Sequence, residues 1–190
     1  MNPIVNPFSP LAAPLTEQEI DARAAKIKLI IFDVDGVLTD GALYLNDAGQ
    51  EMKAFFSLDG HGLKMLRKSG VTIAIITGRD SPLMRHRAKN LNIEHLYQGV
   101  EDKLEAFSAL TVQLGVATEQ IAAMGDDVVD LPMMRRSGLS IAVPAAMDSV
   151  KHYAHYVTQL PGGKGAVREV CERIMRAQGT LDAQLAPYLK

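Results

Sequence analysis

The sequence predicts an α/β fold: a doubly wound, Rossmann-like parallel sheet with one projecting β-hairpin and no separate cap domain. Three observations carry that prediction. From about residue 26 onward, short continuous apolar runs alternate with stretches of helical periodicity, the pattern of strands buried on both faces joined by crossover helices. Only residues 42–56 break the rhythm. A length of 190 residues suits one compact domain with a substantial core.

Taken in order, residues 1–15 read as a loose arm, because Pro3, Pro7, Pro10 and Pro14 withhold backbone donors. Thr16-Glu17-Gln18-Glu19 has the pattern of a capping box, and a short helix is expected from there to about Lys26. Leu29-Ile30-Ile31-Phe32 reads as the first buried strand and Val71 to Ile76 as the second, closed by Thr77-Gly78. His95 to Gln98, Ile121 to Met124, Ser140 to Val143 and Tyr156 to Thr158 are shorter strand candidates. Leu104, Phe107, Leu110 and Leu114 recur at helical spacing, as do Ala166, Val170, Ile174 and Ala177. In residues 42–56, two β-like stretches flank the turn composition Asn46-Asp47-Ala48-Gly49, which predicts a hairpin over the end of the first strand. The expected organisation is an arm and short helix (1–25), a main domain (26–179) that includes the hairpin (42–56) and a C-terminal tail (160–179), and an extension (180–190).

Composition excludes several classes of function. A hydrophobic share of 47% with 22% charged residues is globular rather than disordered. A net charge of −2 argues against a nucleic-acid or membrane-surface partner, since both need a basic excess. No apolar run approaches the ~18 residues of a membrane span. The first residues have no basic segment before an apolar stretch, so no secretory signal is expected. The one cysteine, Cys171, cannot form an internal disulfide, which fits a reducing compartment; the expected location is the cytoplasm.

In parallel sheets of this kind ligands gather at the carboxyl ends of the strands. Asp33 and Asp35 follow the first strand two residues apart, so extended geometry points both carboxylates into one space. Gly36 permits a sharp bend and close approach of backbone amides to phosphate. A mere surface turn is the weaker reading, because aspartates directly after a buried run are poorly placed for simple solvation. Thr77 and the amide of Gly78 offer donors to phosphate oxygens after the second strand, and the fork of Arg79 suits a carboxylate or phosphate. Lys103 opens a helix, where a cation opposes the helix dipole; next to the other residues it reads as a phosphate ligand. Asp126 and Asp127 follow a later strand, with Asp130 three residues on. Adjacent carboxylates repel, so the pair suggests a bound cation, and an all-oxygen set suggests Mg²⁺. Asp126 is the expected ligand, with Asp127 orienting the shell and Asp130 holding the loop. His61, after Asp59-Gly60, either touches substrate or caps a helix. His152 and His155 lack further ligands at metal spacing, and Cys171 reads as core. Phosphate-ester hydrolysis needs a nucleophile, a proton donor, a cation and a phosphate cradle, and these strand ends supply each.

The ordered set Asp-x-Asp-Gly-x-x-Thr-Asp, Thr77-Gly78-Arg79, Lys103 and Gly-Asp-Asp-x-x-Asp resembles the haloacid dehalogenase superfamily of phosphatases. The resemblance implies that Asp33 forms an aspartyl-phosphate while Asp35 protonates the leaving alcohol and then activates water. It also implies that Thr77 and Lys103 hold the phosphoryl group, and that Asp33, the carbonyl of Asp35 and Asp126 bind Mg²⁺. Lys53-Ala54-Phe55, Asp59-Gly60-His61-Gly62, Leu96-Tyr97-Gln98-Gly99 and Gly162-Gly163-Lys164-Gly165-Ala166-Val167-Arg168 further resemble the family of 3-deoxy-D-manno-octulosonate 8-phosphate phosphatases, over about Lys26 to Gly179. That family implies an acidic sugar phosphate as substrate, a place in lipopolysaccharide biosynthesis, and a homotetramer whose hairpins meet centrally while a neighbour's tail closes each active site. By the same resemblance Gly162 to Arg168 would help cover an adjacent pocket, and Lys164 and Arg79 would attract the sugar carboxylate. The sequence departs from the pattern at Leu58 and Lys164, where arginine is common, and in the Glu101-Asp102 pair before Lys103.

Two kinds of rival are distinguishable. A nine-carbon ulosonate 9-phosphate would suit the same machinery and would account for Leu58. A phospho-receiver domain also combines aspartates, a Thr and a Lys around Mg²⁺, but its acceptor lies on a later strand than its acidic pair. A scaffold that had lost activity would not need every catalytic position to be present.

Overall fold

The computed structural model describes residues 15–190; the remainder of the proline arm, residues 1–14, lies outside the described residues. Helix α1 (Glu17–Ala24) starts with the expected capping box: Thr16 accepts from the Glu19 amide, and the Glu19 carboxylate accepts from the Thr16 amide. Strand β1 (Leu29–Phe32) is buried along its whole length and takes the centre of the sheet. The hairpin consists of β2 (Tyr44–Leu45) and β3 (Glu51–Met52), paired antiparallel with Tyr44 opposite Met52. Its turn is tied by the Asn46 side chain, which accepts from the amides of Ala48 and Gln50.

Helix α2 (Ser57–Lys68), strand β4 (Thr72–Ile76), helix α3 (Pro82–Leu91) and strand β5 (His95–Tyr97) follow. Then come α4 (Lys103–Leu114), β6 (Ile121–Gly125), α5 (Leu131–Met134), β7 (Leu139–Ala142), α6 (Asp148–Lys151) and β8 (Tyr156–Val157). The chain ends in α7 (Ala166–Ala177) and α8 (Leu181–Leu185). The six long-sheet strands are all parallel in the order β5-β4-β1-β6-β7-β8. The strand candidates read from the apolar runs are all present, with ends shifted by a residue.

The order explains where a site must form. From β1 the chain proceeds outward to β4 and β5 on one side, then crosses back to β6 on the other. That reversal opens a crevice beyond the carboxyl end of β1, between the loops after β4 and β6. The helices pack by their apolar stripes: Ala166, Val167, Val170, Cys171, Ile174 and Met175 of α7 are all buried, and Ile20 and Ala24 of α1 join the same core. Arg173 ties α7 to α1 through Glu17 and Asp21. Met133 and Met134 are core residues, as is Cys171. No helix among the described residues is long and apolar enough to cross a membrane.

The segment 160–179, expected as a C-terminal tail, runs from a glycine turn that lies on the loop after β1 into helix α7. Gly163 donates to the Val37 carbonyl, and the amides of Gly165 and Arg168 donate to Asp59. The physical reason lies in two missing side chains. A Cβ on Gly162 would overlap the Gly36 carbonyl, and one on Gly163 would sit 2.6 Å from the Asp40 amide, so only glycines let this turn lie flat on the loop after β1.

Candidate active site

Asp33 directly follows β1, and its amide continues the strand ladder by donating to the Met124 carbonyl on β6. Its side chain therefore emerges at the crevice with little freedom. Lys103, the first residue of α4, reaches in from the far side; its Nζ lies 2.6 Å from Asp33 Oδ1 and 2.6 Å from Asp130 Oδ1. The lysine is only 4% exposed. Burial works against its charge, but the Asp33 and Asp130 carboxylates outweigh that and hold its pKa above the ordinary lysine value. The N-terminal turn of α4 tolerates this cation because it is neutralised by two anions, while Asp102 caps the helix by accepting from the Leu104 amide.

The loop after β6 is organised by Asp130, which is fully buried. Its Oδ2 accepts from the amides of Asp126 (3.0 Å) and Asp127 (3.2 Å), and its Oδ1 holds Lys103. Asp127 caps the following single turn by accepting from the Val128 amide. The Asp126 side chain is thereby turned toward β1. There Gly36, with φ +91°, leaves room for it: a Cβ on Gly36 would overlap the Asp126 carboxylate.

This packing creates a charge problem that a cation would solve. One carboxylate oxygen each from Asp33, Asp126 and Asp130 lie within 4.8 Å of one another. Burial, then repulsion from Asp33, Asp130 and Asp127, pushes the Asp126 carboxyl up to about 7. Burial and the Asp130 charge push Asp33 to about 6, although Lys103 pulls the other way. The donor set is hard oxygen, which fits Mg²⁺ and not a soft metal. Both Asp130 oxygens are already committed to Lys103 and the loop amides, so Asp33 and Asp126 are the carboxylates left to hold the ion.

Asp35 faces a different set of partners. Its carboxylate is ion-paired with Lys53, and Arg79 Nε stands 3.7 Å away. Glu51 braces both cations: it accepts from Arg79 at 2.7 Å, lies 3.3 Å from Lys53 and accepts from the Ser81 hydroxyl at 3.1 Å. Lys53 and Glu51 were not singled out as site residues from the sequence. The available signal was alternation along the hairpin, which puts Glu51 and Lys53 on one face and the exposed Met52 on the other.

A pocket of about 470 Å³ joins these groups. Asp33, Asp35, Thr77, Gly78, Arg79 and Lys103 line it, as do Asp126 and Asp127. Thr77 is buried at the end of β4, and its hydroxyl accepts from the Arg79 amide at 3.4 Å. Two expected substrate residues stand apart from this pocket. His61, on α2, packs edge-on against Tyr188 of the C-terminal extension, with ring centroids 5.4 Å apart. Lys164 is exposed at the top of the glycine turn, within electrostatic reach of Asp40.

A family model described as haloacid dehalogenase-like hydrolase matches residues 96–168. The 3-deoxy-D-manno-octulosonate 8-phosphate phosphatase KdsC of Yersinia pestis is 48% identical over 164 residues, covering 86% of this chain and 88% of that protein. This chain belongs to the haloacid dehalogenase-like hydrolases. Within that family, it is also similar to a crystal structure of 3-deoxy-D-manno-octulosonate 8-phosphate phosphatase from Moraxella catarrhalis, in complex with magnesium ion, phosphate ion and a KDO molecule. That likeness has a TM-score of 0.89 and 45% identity, over 91% of this chain and 99% of the other. A probable yrbi family phosphatase from Pseudomonas syringae matches with a TM-score of 0.90 and 51% identity, over 91% and 98% of the two chains.

Proposed function

We propose that this protein is a magnesium-dependent phosphatase that hydrolyses 3-deoxy-D-manno-octulosonate 8-phosphate to the free sugar acid and inorganic phosphate. The observation that carries the reading is the cluster of buried Asp33 and Lys103 with half-buried Asp126 at the switch point of the sheet, with Asp35 two residues from the nucleophile. The phosphate- and KDO-bound relative from Moraxella catarrhalis supports the substrate class.

The proposed steps use this chain's own groups. The Asp33 carboxylate attacks phosphorus, and the bond from phosphorus to the sugar oxygen breaks. Protonated Asp35 gives its proton to that leaving oxygen, releasing the sugar acid as an alcohol. Asp35, now a carboxylate, takes a proton from water; the resulting hydroxide attacks phosphorus, the Asp33–phosphorus bond breaks, and both carboxyl groups return to their starting states. Thr77, the Gly78 amide and Lys103 bind the phosphoryl oxygens. Mg²⁺ held by Asp33, Asp126 and the Asp35 carbonyl would offset the repulsion between the attacking carboxylate and the phosphate. Lys53 keeps Asp35 aimed at the pocket, and Arg79 is the pocket cation available to a sugar carboxylate.

We read residues 26–179 as the phosphatase unit, with α1 and the C-terminal extension packed onto it, in the cytoplasm and serving lipopolysaccharide biosynthesis. We infer a homotetramer. The exposed apolar hairpin residues Leu43, Tyr44, Leu45 and Met52 support association through the hairpin, and exposed Tyr188 and Leu189 are C-terminal residues suited to closing a neighbouring pocket.

A phosphate-release panel with Mg²⁺ tests the reading. The highest kcat/KM is expected for the eight-carbon substrate. A preference for a nine-carbon ulosonate 9-phosphate would overturn the choice of sugar, and no release from any sugar phosphate would overturn the enzymatic reading.

A further inference from the structure

The loop after β1 carries the chemistry, yet few of its own side chains anchor it. Thr39 ties it locally, accepting from the amides of Gly36 and Gly41. The outer support is the turn from Pro161 to Gly165, whose Gly162 and Gly163 lie against the backbone of residues 36–40; Gly163 donates to the Val37 carbonyl at 3.0 Å. Displacing this turn would displace Gly36, and Gly36 touches the Asp126 carboxylate.

Two carboxylates hold the turn, one at each end. Asp59, on α2 and only 2% exposed, accepts from the Arg168 amide at 2.8 Å and from the Gly165 amide at 3.3 Å. Glu169 accepts from the Gln159 amide at 2.9 Å and the Leu160 amide at 2.9 Å, and its carboxylate is also bonded by the Tyr156 hydroxyl. Neither side chain lines the pocket. The buried Asp59 carboxylate fixes the two amides it accepts from, because losing either bond would leave a poorly solvated donor. Glu169, only partly buried, holds its two exposed amides by charge-assisted hydrogen bonds.

The geometry points to Asp59 and Glu169 as positioning residues that clamp the two ends of the Gly162–Gly165 turn and so hold the catalytic loop, residues 36–40, against Asp126. The chemistry of the clamp is carboxylate to backbone amide, and it acts through the turn, not on substrate. This rests on the phosphatase reading above.

The test is kinetics and hydrogen exchange on the full chain. Asp59→Asn keeps one acceptor and loses the other; Glu169→Gln does the same at the far end of the turn, so one variant remains if the other fails to fold. Each is expected to lower kcat about ten- to a hundredfold, the range for a small misplacement of reacting groups, with KM within about threefold. Exchange of the Gly163 amide and of peptides spanning residues 34–41 should rise. Ile174→Val and Ile174→Ala, deeper in α7, bracket the loss of Tm and should leave kcat near wild type. The clamp is refuted if both variants keep kcat within about twofold, if the loss falls only on KM, or if an Ile174 variant of equal Tm loses as much kcat. Wild-type turnover in the same assay separates the two claims: without it the phosphatase reading fails, and with it a failure belongs to the clamp alone.

Discussion

Replacing Lys103 with methionine removes the positive charge that two buried carboxylates share at 2.6 Å each. Removing one partner of a buried ion pair typically destabilises by about 3–5 kcal/mol, because an unneutralised charge remains in a poorly solvated place. Here the protein has an escape route, since Asp33 already titrates near 6 and can take up a proton. One pKa unit corresponds to about 1.4 kcal/mol, so holding a neutral Asp33 becomes about 3.4 kcal/mol easier between about pH 8 and about pH 5.5. The wild type recovers about 0.8 kcal/mol over the same interval through its own titration, from the linkage relation with an unfolded value near 3.8. Destabilisation by Lys103→Met should therefore shrink by about 2–3 kcal/mol from about pH 8 to about pH 5.5. Urea unfolding followed by circular dichroism, on metal-stripped protein at fixed concentration, reads this directly. Equal destabilisation at both pH values, or a loss below about 1 kcal/mol at about pH 8, would refute the assignment of Lys103 as counter-ion to the buried aspartates.

Asp33→Asn should abolish turnover and remove any trappable phospho-enzyme while leaving the circular dichroism spectrum intact; substantial residual hydrolysis would sink the covalent route. The raised carboxyls of Asp33 and Asp126 bind protons in the folded state that the unfolded chain has already lost, so the stability they confer is greatest below about pH 4 and fades as pH rises through their folded values. Metal competes with those protons, so Mg²⁺ affinity measured by calorimetry should fall by about two orders of magnitude between about pH 8 and about pH 5.5, roughly 30-fold from Asp126 and roughly fourfold from Asp33. Lys53→Met should cut kcat by about tenfold or more with a smaller effect on Mg²⁺ half-saturation, because it frees Asp35 and leaves Asp33 and Asp126 in place. Leu45→Arg with Met52→Arg should shift the light-scattering mass toward monomer; an unchanged mass would remove the hairpin from the association surface.

Much of the site was legible because of where strands end. Asp33, Thr77 and Asp126 each follow a buried apolar run, and a parallel sheet brings such ends to one edge. Lys103 was legible as an anomaly, a cation opening a helix, and the structure gives the reason in Asp33 and Asp130. The Asp35 partners were harder to foresee. Lys53 lies 18 residues away on a hairpin with two-residue strands, and only the fold of that hairpin over β1 brings it to the carboxylate. The segment 160–179 held two messages. Its helical stripe predicted burial, but its glycines gave no sign that the turn would seat on its own subunit's loop.

By itself, then, the chain determined the order of strands and helices and which carboxylates, hydroxyl and lysine would meet at their ends. Those follow from hydrophobic periodicity, which is local, and from the rule that parallel strands present their carboxyl ends together. The tertiary structure alone decided how the meeting is held: Asp130 between lysine and loop, Glu51 bracing Lys53 and Arg79, and Asp59 and Glu169 gripping the glycine turn. These are contacts between residues far apart in sequence. They depend on side-chain reach and on backbone closeness of an ångström or so, and no periodic pattern encodes either.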